Sequence, residues 1–367
     1  MGTKRKAARI LAEPSPDGAS PPPTARLLSA LLVTLSAVTV LLVSAWRGGS
    51  AGAVGPPSAA DARLTGQSRP GPLPSGAPAH TSAEHFDSEG CSFPDRGFGN
   101  YEAWRNLPLG RALVRTDSAL GADGGFHLLV HFHGAEPVRK QLALDDSELV
   151  IVGVDAGTLS SHYARVLSSE GAFASLIASI EHEVARATRH AGAHARSITL
   201  SAWSAGYGAV AQVLSRPDAQ RLAGIILLDS LHASYAHGAG SLGGAYLSKD
   251  RRVDTTALGP FLSFAKQAAL GGPFFYLTHS AVGTDGYAST AEVASAVLEE
   301  VGAPVHEVTA NPEDALKSTR MSDQGRFFLR GYGGRTKEDH CAQLRLLPLI
   351  VRDHVLRRAP HPPAPSL

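Results

Sequence analysis

The chain has 367 residues, of which 43% are hydrophobic and 18% charged, so it carries enough apolar surface for a sizeable core and is not a disordered chain. Its 34 basic and 33 acidic residues nearly cancel, and from Cys91 onward they number 26 and 27, which leaves no basic footprint for a nucleic-acid partner. Two cysteines are too few for a disulfide-dense scaffold or a thiolate zinc cluster.

Residues 1–26 form a basic, Pro-rich tail with Lys4, Arg5, Lys6, Arg9 and Arg26. Leu27 to Trp46 then run without a charge, and at about 1.5 Å per residue such a helix spans a bilayer core of roughly 30 Å. The run exceeds the apolar region of a signal peptide, which favours an uncleaved membrane anchor over residues 27–46. Ala51-Gly52-Ala53 has the small-x-small form of a cleavage site, so a cleaved, secreted product stays open. The bias of basic residues toward the N-terminal side predicts that the C-terminal domain is exported, periplasmic or extracellular. Residues 47–90 are rich in Gly, Pro, Ala and Ser and read as a flexible linker. The functional domain is expected over 91–358, with a Pro-rich tail over 359–367. Arg (27) far outnumbers Lys (7), a composition that suggests a GC-rich bacterial genome.

From about residue 108, short apolar runs alternate with helical patterns. The runs are His127–Phe132, Leu149–Val154, Ile198–Ala202, Gly224–Asp229, Phe274–His279 and a weaker Val305–Val308. Continuous apolar runs suit strands buried on both faces. Helical spacing is evident from Phe173 to Val184, from Ala205 to Leu214, from Thr256 to Leu270, from Thr290 to Val301 and from Leu344 to Leu356. The pattern predicts an α/β fold, a mostly parallel sheet with helices on both faces. Chemistry is then sought at the carboxyl ends of the strands.

Three such places stand out. Ala202-Trp203-Ser204-Ala205-Gly206 is a small-x-Ser-x-Gly turn between a strand and a helix, which exposes a strained nucleophile, Ser204. His131-Phe132-His133-Gly134-Ala135 ends an earlier strand, where the backbone N–H groups of Gly134 and Ala135, with that of Ala205, are candidate oxyanion donors. His340 sits on a Gly-rich loop before the last helix and is the candidate base. The acid is Asp229, at the tip of the Gly224–Asp229 run, with Asp285 as its rival. Cys91 and Cys341 would tie the start of the domain to the loop beside His340 if they form a disulfide.

In these motifs and in the chain order Ser…Asp…His, residues 108–358 resemble the α/β-hydrolase superfamily, on its serine esterase and lipase-like side. The resemblance implies an eight-stranded, mostly parallel sheet, a Ser-His-acid triad and a two-step acyl-enzyme mechanism, with no metal and no organic cofactor. The sequence departs from the family pattern in having Ala202 for the first Gly of the elbow and one Gly rather than three in the oxyanion segment.

Other motifs carry less. Gly238 to Gly243 matches G-x-G-x-x-G but does not directly follow a strand, so it reads as part of a loop or small lid over 230–272. His131 and His133 as a metal pair lack a third ligand, and His182-Glu183 has Arg186 where a zinc protease has its second His. The expected function is hydrolysis of a small-molecule or lipid-like carboxylic ester by Ser204, His340 and Asp229. The alternatives are an envelope peptidase or amidase with the same residues and a catalytically inactive binding module.

Overall fold

The computed structural model describes residues 91–117, 120–143, 149–236, 252–309 and 316–356. The basic tail, the expected anchor over 27–46, the linker, the G-x-G-x-x-G segment and the tail over 359–367 lie outside the described residues. Among the described residues no helix is long and apolar enough to cross a membrane.

Ten strands form one sheet: β1 (Arg105–Asn106), β2 (Arg111–Leu113), β3 (Gly125–Phe132), β4 (Leu149–Val154), β5 (His194–Trp203), β6 (Leu222–Leu228), β7 (Phe274–His279), β8 (His306–Glu307), β9 (Ser318–Gln324) and β10 (Phe327–Tyr332). Their spatial order is β1-β2-β4-β3-β5-β6-β7-β10-β9-β8. The centre, from β4 through β3, β5, β6 and β7 to β10, is parallel. Antiparallel strands extend both sides, β2 and β1 beyond β4, and β9 and β8 beyond β10. The mostly parallel sheet is therefore present, with ten strands where the resemblance implied eight.

Side-chain alternation explains why the central runs read as continuously apolar. Leu128 and Val130 of β3 join one core, together with Ile225 and Leu227 of β6 and Phe275 and Leu277 of β7. Leu129, Ile226, Leu228, Phe274 and Tyr276 join the core on the other face. The first core is covered by α2 (Ser160–Val166), α3 (Ala172–Thr188), α4 (Tyr207–Leu214), α5 (Gly259–Ala269) and α6 (Thr290–Val301). The second is covered by α1 (Ala135–Leu142) and by the C-terminal segment with α7 (Lys337–Ala342) and α8 (Leu347–Ile350). Parallel strands buried on both faces need no polar alternation.

Two expectations shift. The single helix expected over Leu344–Leu356 is a 3₁₀ turn, the short α8 and a π turn at Val351–Leu356. Pro348, inside this run, lacks the N–H that a continuous helix needs. The weaker run Val305–Val308 becomes β8, an antiparallel edge strand, while the last parallel strand is β10, with β9 antiparallel beside it.

Cys91 and Cys341 are joined by a disulfide that bridges a sequence separation of 250 residues. Both cysteines are buried in the second core. A cross-link over so long a loop removes much freedom from the unfolded chain. Replacing both by Ser should lower the unfolding free energy by about 2–5 kcal/mol, read from the denaturant midpoint against wild type. An unchanged midpoint would show that the bond adds nothing.

Candidate active site

The strand order reverses between β3 and β5, and the site lies at the carboxyl ends of the strands flanking that switch. β5 ends at Trp203, and Ser204 follows with φ 50, a left-handed conformation that side chains rarely adopt. The chain turns at once into a 3₁₀ turn, Ser204–Gly206, and then α4. Small residues make this turn fit. A Cβ on Gly206 would run into the carbonyl of Phe132, and one on Gly208 into the carbonyl of Ser160. The hydroxyl of Ser230 donates to the Ser204 carbonyl at 2.9 Å, tying the elbow to the end of β6.

Asp229 follows β6 with φ 46 and is buried. Its Oδ2 accepts from Nδ1 of His340 at 2.7 Å. Its Oδ1 accepts from the Ser280 backbone N–H at 2.8 Å and from the Thr290 hydroxyl. Burial alone would raise this carboxyl. The His340 hydrogen bond and charge, with Ser280 and Thr290, outweigh burial and hold it down at about 2. Asp229 is thus ionised at neutral pH. Asp285, the rival acid, lines the same cavity but forms no ion pair with His340, whose Nδ1 is taken by Asp229.

Ser204, Asp229 and His340 line one cavity of about 370 Å³, with His232, Ser280 and Thr290 among its walls. Among the described residues no hydrogen bond joins Ser204 Oγ to His340. His340 is held from a second side by Trp203. The indole N–H donates to the His340 carbonyl at 3.1 Å, and the two rings stack with centroids 4.7 Å apart. His133 also stacks on Trp203, at 5.1 Å, and its Nδ1 meets the Tyr163 hydroxyl at 2.7 Å. In the sequence Trp203 stands only as a member of the Ala202–Gly206 turn. Its elbow position was visible, but its ring contact with residue 340 was not.

Two of the three expected oxyanion donors have an acceptor within the protein. The N–H groups of Gly134 and Ala135 both reach Oδ1 of Asp155, at 2.8 and 3.2 Å. His133 (φ 74) and Gly134 (φ 88) are left-handed, and the successive N–H groups beyond this turn form a concavity that takes an anion. The carboxylate just past β4 fills it. Ala205 opens the 3₁₀ turn after Ser204, where N–H groups have no intrahelical partner. Nothing in the sequence ties Asp155 to the His133-Gly134 turn, since the pairing depends on β3 and β4 lying side by side.

Two further buried histidines, His131 and His279, are bound into the sheet by their own hydrogen bonds. His131 is fully buried, with Nδ1 at 3.0 Å from the Ser201 hydroxyl and Nε2 at 2.7 Å from the His133 carbonyl. His279 directs Nδ1 to the Ser280 carbonyl, while Nε2 accepts from Arg320 at 2.8 Å. Burial pushes His131 down to about 3, and His133 and His279 down to about 4. Among the described residues no cluster of three or more His, Cys, Asp or Glu could hold a metal.

No protein-family model matches the sequence, and no curated protein matches it. Solved structures align with it at low overlap. The acylaminoacyl peptidase of Pyrococcus horikoshii aligns with TM-score 0.38 and 13% identity, over 71% of this chain and 42% of that one. Thermogutta terrifontis esterase 2, phosphonylated by cyclosarin, aligns with TM-score 0.39 and 12% identity, over 71% and 98%. Carboxylesterase CesB of Bacillus subtilis aligns with TM-score 0.34 and 8% identity, over 69% and 90%. The chain spans less than half the length of the peptidase. On its own geometry the domain has an α/β-hydrolase-like fold, with a parallel centre, helices on both faces and a strand–Ser–helix turn at the sheet's carboxyl edge.

Two outcomes follow from this geometry. A histidine whose folded value is depressed leaves the unfolded chain binding more protons below about pH 6.5. Stability contributed by His131, His133 and His279 is therefore complete above that pH and falls as pH drops toward 4. The thermal midpoint should decline steadily between pH 6.5 and 4.5, and a flat midpoint there contradicts the buried, neutral assignment. Trp203→Leu should lower kcat for any reaction that uses His340 by about tenfold or more, through misplacement of its ring. Trp203→Phe keeps a stacking face and should recover part of that loss in the same assay.

Proposed function

We propose that the chain is a serine hydrolase that cleaves carboxylic esters through an acyl-enzyme. The observation that carries this reading is the 2.7 Å bond from His340 Nδ1 to a buried, ionised Asp229, in the cavity that Ser204 also lines. A carboxylate in that position fixes the tautomer of His340 and leaves its Nε2 as the base.

In the reading proposed, Ser204 Oγ attacks the carbonyl carbon and its proton passes to His340 Nε2. The tetrahedral centre collapses, the bond to the leaving alkoxide breaks, and His340 gives that oxygen the proton. Water then attacks the acyl group, His340 takes its proton, and the acyl–Oγ bond breaks to restore the Ser204 hydroxyl. Ala205 N–H supports the oxyanion from its place after the nucleophile. An ester fits better than an amide because its leaving group needs less assistance. Export of the domain, anchored through residues 27–46 or released near Ala53, is part of the proposal. The Cys91–Cys341 bond supports it, since disulfides persist in oxidising compartments.

The full-length chain, purified under oxidising conditions, should be labelled by a fluorophosphonate, and Ser204→Ala should abolish the label. Asp229→Asn should lower turnover of a neutral nitrophenyl ester by about 10³–10⁴-fold. Asp285→Asn should leave that turnover within about threefold of wild type. A folded wild-type protein with neither label nor turnover would sink the reading.

A further inference from the structure

The wall of the cavity beyond Ser204, Asp229 and His340 has its own chemistry. Val282 is its one aliphatic side chain among the described residues. Tyr287 meets His232 edge to face at 5.2 Å, and His232 leans on Tyr207 at 5.9 Å, so one side of the cavity is aromatic. Asp285 and Lys337 also line it, and both are exposed to solvent. Among the described residues such a lining offers a fatty acyl chain one aromatic side and a single aliphatic side chain.

Neither Asp285 nor Lys337 forms an ion pair or a side-chain hydrogen bond among the described residues, with each other or with any other group, and Glu338 stands beside Lys337 along the chain. Several other acids are matched to arginines: Asp95 with Arg139, Glu136 with Arg111, Glu183 with Arg186 and Asp323 with Arg330. At the cavity a carboxylate and an ammonium stand apart on the lining of one space, so a solute inside it meets a negative group and a positive group. The solute that both charges attract carries an ammonium and a carboxylate of its own.

We infer that this cavity takes small zwitterionic amino-acid derivatives in preference to fatty-acyl compounds, with Asp285 receiving the ammonium and Lys337 the carboxylate. The bond that is cut rests on the serine-hydrolase reading, whereas the selection of what binds does not. Asp285 and Lys337 are specificity-determining residues here and take no part in proton transfer.

The test is calorimetric titration of the full-length Ser204→Ala protein, which binds without turning over. Four probes of one size separate the charges: alanylalanine, its N-acetyl form (anion only), its C-terminal amide (cation only) and the doubly blocked form (neutral). Octanoate serves as the fatty-acyl probe. Alanylalanine should bind best, with each missing charge weakening binding about three- to fivefold, the scale of an exposed ion pair. Adding Lys337→Gln should remove the advantage of the carboxylate alone, and adding Asp285→Asn that of the ammonium alone. Equal affinity for the four probes, tighter binding of octanoate, or discrimination that survives both substitutions would overturn the inference. A wild-type chain that resists the fluorophosphonate yet shows this charge pattern would remove the hydrolase reading and leave the zwitterion site standing.

Discussion

The site depends on one hydrogen bond, from His340 to Asp229, made between residues 111 apart in sequence. A buried carboxylate is costly unless its oxygens are satisfied. Asp229 meets that demand with His340 on one oxygen and with Ser280 and Thr290 on the other. The arrangement requires β6 beside β7, because Ser280 follows β7, and it requires α6 to begin where Thr290 can reach back. The capping box of Ser289 and Glu292 fixes that helix start. The polar centre thus draws on several loops at the sheet's carboxyl edge, and none of them could shift alone without leaving a buried charge short of a partner.

Backbone strain is concentrated in the same place. Of the non-glycine residues in left-handed conformations, His133, Ser204 and Asp229 each stand just past the end of a central strand. Such conformations persist only where surrounding structure over-determines them, and they gather at functional sites. Here the surroundings are identifiable. His133 is held by Trp203 and Tyr163, Ser204 by Ser230 and the close approach of Gly206 to Phe132, and Asp229 by its own hydrogen bonds.

Most of the central sheet was legible in the sequence because its strands are buried on both faces. β4 and β7 coincide with their apolar runs, and β3 and β5 contain theirs. β9 was not legible, since its sequence STRMSDQ is polar and its one fully buried residue is Ser322. Ser204 and His340 could be picked out by local composition and chain order. The preference for Asp229 over its rival Asp285 rests only on its place at the tip of the Gly224–Asp229 run, since each acid follows a strong strand. What separates them is whether the carboxylate is buried and who donates to it, and both facts are tertiary. The Asp155 contact with Gly134 and Ala135 is equally silent in the sequence. It arises from strand adjacency and from two left-handed residues, of which only the glycine advertises that conformation.

The covalent link between Cys91 and Cys341 has a consequence for the order of events in the life of the chain. Synthesis delivers the N-terminal end first, so Cys91 waits unpaired while the sheet's centre emerges behind it. Its partner adjoins the histidine that bonds Asp229, and both arrive after β10. Ser204 and Asp229 are therefore synthesised well before the imidazole that bonds Asp229. For most of its length the nascent chain lacks that donor, and the cysteine that closes the long loop follows it by one residue.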